Sequence, residues 1–220
     1  YAFDPSVYGS LRVLANNTAA PFTPAPRITA FSQQASVSTP QFRRFAASAS
    51  VLRSSDVDFN ETSRVNRTAY TGSVDWRPNT RLRMNATYAS NEFVRRVDDV
   101  STFSTQIPRV KAEYQVTRWV FVRLITQYEA NRRETLRDWR TGSLLYTRRA
   151  DGTLTPTVAT RSNLLRADWL FSFRPSPGTV FFAGYGSSLT EPEALGLNRL
   201  RRVSDSFFLK ASWVNRLGAR

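Results

Sequence analysis

The chain has 220 residues, and its 31 Lys and Arg residues outnumber the 17 Asp and Glu residues, for a formal charge of +14 at pH 7. His and Cys are both absent, so the usual nucleophile–base pairs and the usual thiolate or imidazole metal sites cannot be built. No run approaches the roughly 18 consecutive apolar residues that indicate a transmembrane helix. Composition leaves two classes: a basic soluble protein that binds nucleic acid, and a membrane β-barrel, which is the other way to satisfy every backbone group in lipid.

The first part of the chain predicts four strands with weak alternation. They lie near residues 8–16, 27–37, 41–52 and 66–76. Ser38-Thr39-Pro40 is a turn between the second and third, because Pro presets the backbone angle that a turn needs. The Pro-rich segment 15–27 fits a loop, a linker or a piece that plugs a barrel lumen equally well.

The middle of the chain alternates between apolar and polar residues with a period of two, which predicts strands at 81–90, 105–116 and 119–129. In the first of these, Leu82, Met84, Ala86 and Tyr88 share one face. The opposite face carries arginine and other polar residues. Helical periodicity is absent, and Val, Thr, Tyr, Phe and Trp favour strands.

The same pattern continues in three predicted strands near the C-terminus, at 162–173, 179–189 and 205–216. In the last of them, Phe207, Leu209, Ala211 and Trp213 oppose Ser206, Lys210, Ser212 and Arg216. The apolar faces of the strands with clear alternation carry no charge, and a charge there costs about 2–4 kcal/mol at the middle of a bilayer. These ten strands predict one domain over residues 1–220: an all-β, antiparallel, up-and-down transmembrane barrel of about ten strands, or the C-terminal part of a larger barrel.

The connections support this interpretation. Tight turns are expected at 77–80, 117–118 and 174–178, and longer polar stretches at 91–104, 130–160 and 190–203. Short connections on one side and long ones on the other are typical of porin-like barrels in the outer membrane of Gram-negative bacteria.

The alternation assigns side chains to two environments. The candidates that face the lumen are Arg81, Arg83, Arg109, Lys111, Glu113, Arg123, Glu129, Arg166, Asp168 and Lys210. The candidates for aromatic residues at the membrane interface are Trp76, Tyr88, Trp119, Tyr128, Trp169, Tyr185 and Trp213. The lumen set fits either a packed, salt-bridged interior or a cationic pore that favours anions.

No catalytic, cofactor-binding or metal-binding residues are identified, and we expect no enzyme activity. Asp56, Asp58, Asn60 and Glu61 have a spacing that resembles a calcium loop, but the Gly and the distal Glu of an EF-hand are missing. Arginine pairs occur in the predicted loops, at Arg95-Arg96, Arg132-Arg133, Arg148-Arg149 and Arg201-Arg202. Outer-membrane lipid and the phosphates of lipopolysaccharide are the expected partners, because Arg binds phosphate through two parallel hydrogen bonds. Nucleic-acid binding and a soluble all-β scaffold or adhesin remain alternatives.

Several segments resemble one bacterial family. They are Val116–Trp119, Arg123–Tyr128, Asn163–Arg166, Phe171–Tyr185 and Asp205–Leu217. Members of that family carry a signal peptide, an N-terminal domain similar to family-nine carbohydrate-binding modules, and a long C-terminal membrane barrel of unassigned function. The resemblance covers roughly residues 105–217. It implies that the chain is the C-terminal part of a longer barrel, whose missing N-terminal strands or another membrane subunit are further expected partners. The carbohydrate-binding domain has no counterpart here, so no sugar-binding role is carried over.

Overall fold

The structure is a computed structural model that describes residues 1–15 and 18–214. It is all-β with antiparallel sheets, which confirms the predicted class. No part of the described chain forms a helix with the length and hydropathy needed to cross a membrane. The end of the last predicted strand, including Arg216, lies outside the described residues.

Nine strands form one large sheet, and each pairs with its neighbours in antiparallel fashion. They are β3 (Phe31–Ser38), β4 (Phe45–Asp58), β5 (Ser63–Trp76), β6 (Leu82–Arg95), β7 (Ser101–Gln115), β8 (Val120–Arg133), β11 (Thr160–Ser176), β12 (Thr179–Thr190) and β13 (Arg201–Ser212). In space they follow chain order from β3 at one edge to β13 at the other. Because the sheet has nine strands, its two edge strands run in the same direction.

A small second sheet of four strands covers one end of the large one. It consists of β1 (Leu11–Ala15), β2 (Thr18–Pro21), β9 (Leu145–Arg148) and β10 (Leu154–Pro156) in the order β10-β9-β1-β2. A short 3-10 helix over Pro5–Tyr8 precedes it. We call residues 1–30 and 134–159 together the cap. The cap holds a core of Tyr8, Val13, Phe22 and Leu145, all buried.

The sheet therefore has two unlike ends. The four predicted tight turns all lie at one end, which we call the turn end, where the connections are 39–44, 77–81, 116–119 and 177–178. The turn predicted at 174–178 is shorter, because β11 continues to Ser176. The other end, which we call the cap end, holds 59–62, 96–100, 134–159 and 191–200. Only the last two of these are long.

Two predictions about the strands are wrong. The predicted strand 8–16 begins late, because Pro5–Tyr8 is helical, and its strand Leu11–Ala15 pairs in the small sheet with Leu145–Arg148. Among the residues that the structure describes, the large sheet thus has nine strands where ten were predicted, and its edge strands β3 and β13 are not paired with each other. The predicted long connection at 91–104 is mostly strand, because β6 and β7 leave only 96–100 between them. Pairing with neighbouring strands continues there although the residues no longer alternate.

The register of the strands defines two faces. One hydrogen-bonded row runs from strand to strand through Phe45, Trp76, Met84, Ala112, Leu124, Trp169, Tyr185 and Phe207. The adjacent row runs through Asp75, Asn85, Lys111, Ile125, Asp168, Gly186 and Ser206. Residues directly opposite each other in a sheet share a face, so we call the face of the first row the apolar face and that of the second row the polar face.

Candidate functional site

The apolar face is exposed. Trp169 is 51% exposed, and large apolar side chains on neighbouring strands are also uncovered, among them Trp76, Tyr88, Val110, Phe171, Phe181 and Phe207. On β11 this face carries no charge from Leu165 to Phe173, and Arg161 is its first charged residue toward the cap end. Soluble monomers rarely expose contiguous apolar patches larger than a few hundred Å². Exposed apolar surfaces of this kind mark sites of contact with other proteins, membranes or ligands.

The polar face gathers the residues predicted to face the lumen. Nine of them share it by register: Arg83, Arg109, Lys111, Glu113, Arg123, Glu129, Arg166, Asp168 and Lys210. Arg81 immediately precedes β6 at the turn end. A cavity of about 320 Å³ brings together Arg83, Arg109, Lys111 and Glu113 with Asn85, which alternation also places on this face, and with Asp75, which was not predicted.

Charges on the polar face partly neutralise one another. Lys111 Nζ lies 2.9 Å from Glu113 Oε1, and Arg83 lies 3.4 Å from Asp75. Asp75 belongs to the weakly alternating strand 66–76, where extending the period of two backwards from Trp76 places it on the polar face. Its odd-numbered position next to Trp76 could therefore have identified Asp75 as a residue of the polar face.

The predicted interface aromatics have different surroundings. Trp76, Tyr88, Trp169 and Tyr185 lie on the apolar face and are exposed. Trp119 lies in a turn, under the guanidinium of Arg118 at 4.6 Å, and Trp213 follows the end of β13. Tyr128 is the exception, since it is only 4% exposed.

Tyr128 is buried because residues 191–200 fold over it. Its hydroxyl donates a hydrogen bond to Glu191 and accepts one from the Leu195 backbone N–H at 2.8 Å. Asn163 Nδ2 anchors the same segment through the carbonyl oxygen of Glu191 at 3.1 Å. The prediction of an interface position for Tyr128 is therefore wrong. The period of two in the strands does not indicate that the loop 191–200 covers this side chain.

A buried ion-pair network holds the cap to the polar face. Glu61 is fully buried, and both of its oxygens accept hydrogen bonds from Arg95, at 2.8 and 3.0 Å. The Ser63 hydroxyl and the Arg137 backbone N–H also donate to Glu61. Since Arg137 belongs to the cap and Arg95 to the sheet, this carboxylate joins the two.

The carboxylates whose spacing resembles a calcium loop are each paired with an arginine. Asp58 is paired with Arg133 at 3.2 Å, Glu61 with Arg95, and Asp56 with Arg67 at 3.4 Å. Each carboxylate thus faces its own arginine. Within residues 1–15 and 18–214, no group of three His, Cys, Asp or Glu side chains is placed to hold a metal ion.

The arginine pairs predicted in loops contain both buried or ion-paired members and exposed members. Arg95 is buried against Glu61, and Arg133 is half-buried and bound to Asp58. Arg132 pairs with Glu134 at 2.6 Å. Arg96, Arg148, Arg149, Arg201 and Arg202 are exposed.

Comparison with known proteins finds no matching family model, no matching curated protein and no matching solved structure. The resemblance to the family with the module-like N-terminal domain therefore stays a prediction.

Proposed function

We propose that this chain forms most of the wall of a β-barrel in the bacterial outer membrane, with a structural or pore role and no enzymatic one. The observation that carries this proposal is the exposed, uncharged belt of the apolar face, opposed across one sheet by a charged face. Antiparallel strands in outer-membrane barrels alternate in this way, with apolar side chains toward lipid and polar ones toward the lumen.

The height of the belt supports the proposal. From Leu165 to Phe173 the apolar face of β11 spans nine residues, or roughly 30 Å at the usual strand rise of about 3.3 Å per residue. Strands inclined by about 45° reduce this to a band about 21 Å tall, close to the roughly 25 Å band of outer-membrane barrels.

The stagger of the strands supports the tilt. The row that contains Trp76, the last residue of β5, reaches Trp169, which lies seven residues before Ser176 at the end of β11. Four strand spacings of about 4.8 Å separate β5 from β11, so a climb of about 23 Å corresponds to an inclination of roughly 50° if the turns lie level. Barrel strands tilt by about 35–45°, whereas a flat, unsheared sheet shows no such climb.

The two edges bear on how the barrel closes. Edge strands cannot face lipid with unpaired backbone groups. Because β3 and β13 run in the same direction, direct pairing between them is parallel, and antiparallel closure needs an odd number of additional strands. We propose that these come from the N-terminal part of a longer barrel or from another membrane subunit.

The polar face then lines the lumen. Its ion pairs favour a partly filled interior, and lipid and lipopolysaccharide are the expected surroundings. Of the arginine pairs, only the exposed members, such as Arg148 and Arg149, are available to lipopolysaccharide phosphates. No nucleic-acid partner is proposed.

A folding assay with two matched variants tests the membrane proposal. The urea-unfolded chain is diluted into detergent micelles, and boiled and unboiled samples are compared on a gel. We expect a faster-migrating unboiled band, and strand-type circular dichroism that develops only with detergent. Strand structure in plain buffer, without a band shift, would contradict a membrane location.

The variants Thr126→Lys and Gln127→Lys add the same charge to adjacent residues of β8. Thr126 lies on the apolar face and Gln127 on the polar face. We expect Thr126→Lys to destabilise the folded state in lipid by about 2–4 kcal/mol, and Gln127→Lys by less than about 1 kcal/mol. Equal effects would mean that neither face is in contact with lipid.

A further inference from the structure

A second cavity, of about 630 Å³, opens at the turn end of the large sheet. Six arginines line it: Arg43, Arg44, Arg77, Arg81, Arg83 and Arg174. They lie in or beside the turn-end parts of β4, β5, β6 and β11, within a run of six adjacent strands that on a flat sheet would span about 24 Å. The cavity therefore gathers arginines from several strands of the large sheet beside one space.

The positive charge in this cavity is largely unbalanced. Glu113 is the one carboxylate among its lining residues, and it already pairs with Lys111 at 2.9 Å. Arg83 has Asp75 at 3.4 Å. Among the residues that the structure describes, no carboxylate lies within 4 Å of the guanidinium groups of the other five arginines.

Backbone hydrogen bonds fix the main-chain positions of four of these arginines. The Arg77 N–H donates to the Arg44 carbonyl at 2.7 Å, and the Arg174 N–H donates to the Trp119 carbonyl at 2.8 Å. Asn79 Oδ1 accepts from the backbone N–H of Arg81 at 2.8 Å. The turns therefore hold the cluster together without a ligand, so that binding an anion does not require the backbone to be ordered first.

Most strand residues that line the cavity lie on the polar face of the sheet, and two, Leu82 and Tyr114, lie on the apolar face by register. Arg83, Glu113 and Phe121 are polar-face residues by register, and the guanidinium of Arg174 lies 5.9 Å from the ring of Phe121. The exposed apolar belt is on the opposite face. A soluble anion on the polar side therefore reaches the charged side chains of the cluster more directly than a lipid headgroup whose acyl chains lie against that belt.

We propose that this cavity binds a small soluble polyanion that carries two or more phosphate groups. A guanidinium matches phosphate with two parallel hydrogen bonds, and Arg is preferred over Lys where that geometry is used. The volume falls within the range of about 300–1,000 Å³ that is common for small-molecule sites. The arginines are spread over several turns, so one phosphate group cannot reach them all. The proposal requires the sheet to be folded, but it does not require the sheet to close or to lie in a membrane.

The test is a calorimetric titration of the folded chain in detergent with inorganic tripolyphosphate at low ionic strength. The folded state is first verified by the unboiled gel band and circular dichroism. We expect saturable binding of one ion per chain, and binding of citrate at least tenfold weaker. The variants Arg44→Gln and Arg81→Gln should each weaken tripolyphosphate binding about tenfold or more. The hydrogen bonds that hold Arg44 and Arg81 in place are made by their backbone groups, so the substitutions leave these bonds intact.

The control variants are Arg149→Gln and Arg201→Gln, which remove the same charge from exposed positions at the cap end. They should change the affinity less than twofold. Absence of binding by a chain that is folded would overturn the proposal. Equal weakening by all four variants would also overturn it, because the effect would then follow net charge. Equal affinity for citrate and tripolyphosphate would overturn it as well.

Discussion

At the scale of single residues, Glu61 is the side chain on which the attachment of the cap most depends. It accepts hydrogen bonds from Arg95 of the sheet and from the Arg137 backbone of the cap, and it is fully buried. Removing one partner of a buried ion pair leaves the other charge uncompensated, which typically costs about 3–5 kcal/mol. We expect Glu61→Ala to lower the free energy of unfolding by that amount, as measured by urea denaturation in detergent.

Asp98 supplies the matched control, because it binds the same guanidinium from a more exposed position. Its carboxylate lies 2.7 Å from Arg95 Nη1, with 37% of its side chain exposed. Asp98→Asn should cost less than about 1 kcal/mol, as solvent-exposed ion pairs do. Similar losses for the two variants would show that burial of Glu61 adds nothing to the pair.

Tyr8 gives the cap a dependence on high pH. Its hydroxyl donates to the Phe59 carbonyl at 2.8 Å, and burial, followed by the charge of Asp58, raises the pKa of Tyr8 above its usual 10.0. The folded state therefore holds this proton longer than the unfolded chain does. The contribution of the hydroxyl to stability is complete below pH 10 and decreases as the pH rises from there through the folded-state pKa.

The comparison of the wild type with Tyr8→Phe isolates this effect. At pH 7 to 9 the variant should be less stable by a constant amount, about 1 kcal/mol for one hydrogen bond. Above pH 10 the difference between the two unfolding free energies should shrink. A difference that stays constant up to pH 11 would mean that Tyr8 ionises in the folded protein as readily as in the unfolded chain.

At the scale of strands, Gly184 marks a close contact between β12 and β13. A Cβ added there would lie 2.0 Å from Cε1 of Phe208, the residue opposite it on β13. At Gly72 of β5 the nearest atom to an added Cβ is the Ser48 carbonyl oxygen, at an ordinary 3.8 Å. The two glycines therefore predict different outcomes for the same substitution.

We expect Gly184→Ala to displace the Phe208 ring and to cost about 1 kcal/mol, the low end of the penalty for an overpacked site, because the ring is 51% exposed. Gly72→Ala should change stability by no more than about 0.5 kcal/mol. Thermal unfolding of both variants measures this. Adding Phe208→Ala to Gly184→Ala should recover part of the loss, and failure to do so would place its cause elsewhere.

The strands also show which parts of the fold the sequence can predict. Strands 81–90 and 162–173 alternate because one face is apolar and the other polar along most of their length, and both overlap observed strands, β6 and β11. The ends of the strands near the cap were missed because polar side chains such as Asp58 and Arg95 are buried there against the cap, so the alternation stops while the pairing continues. The small sheet was missed because it pairs Leu11 with Thr147, far away in the sequence, in strands too short to show a period.

Part of the candidate site could be predicted from the sequence and part of it could not. The polar-face set was predictable, since a period of two places Arg83, Lys111 and Asp168 on one side wherever a strand is regular. The arginine-lined cavity was not, because Arg43, Arg77 and Arg174 lie in or next to turns, where no period of two relates them, and they meet only in the folded sheet.

At the scale of the whole molecule, the direction of the edge strands makes a prediction about closure. β3 and β13 both run from the cap end to the turn end, whereas neighbouring strands throughout the large sheet are antiparallel. If additional strands separate the two edges, β3 and β13 are at least two strand spacings apart, or roughly 10 Å. A disulfide requires Cα atoms within about 7 Å.

The absence of native cysteine allows a direct test by engineered pairs in the protein refolded in detergent. Ser36→Cys with Ser50→Cys is the positive control, because these residues lie directly opposite each other on β3 and β4. Ser36→Cys combined in turn with Ser204→Cys or Ser206→Cys joins the polar faces of the two edges, and we expect no disulfide from either combination under oxidation that crosslinks the control. Efficient crosslinking between the edges would instead mean that the nine strands close on themselves with one parallel pair, and that no further strands are needed.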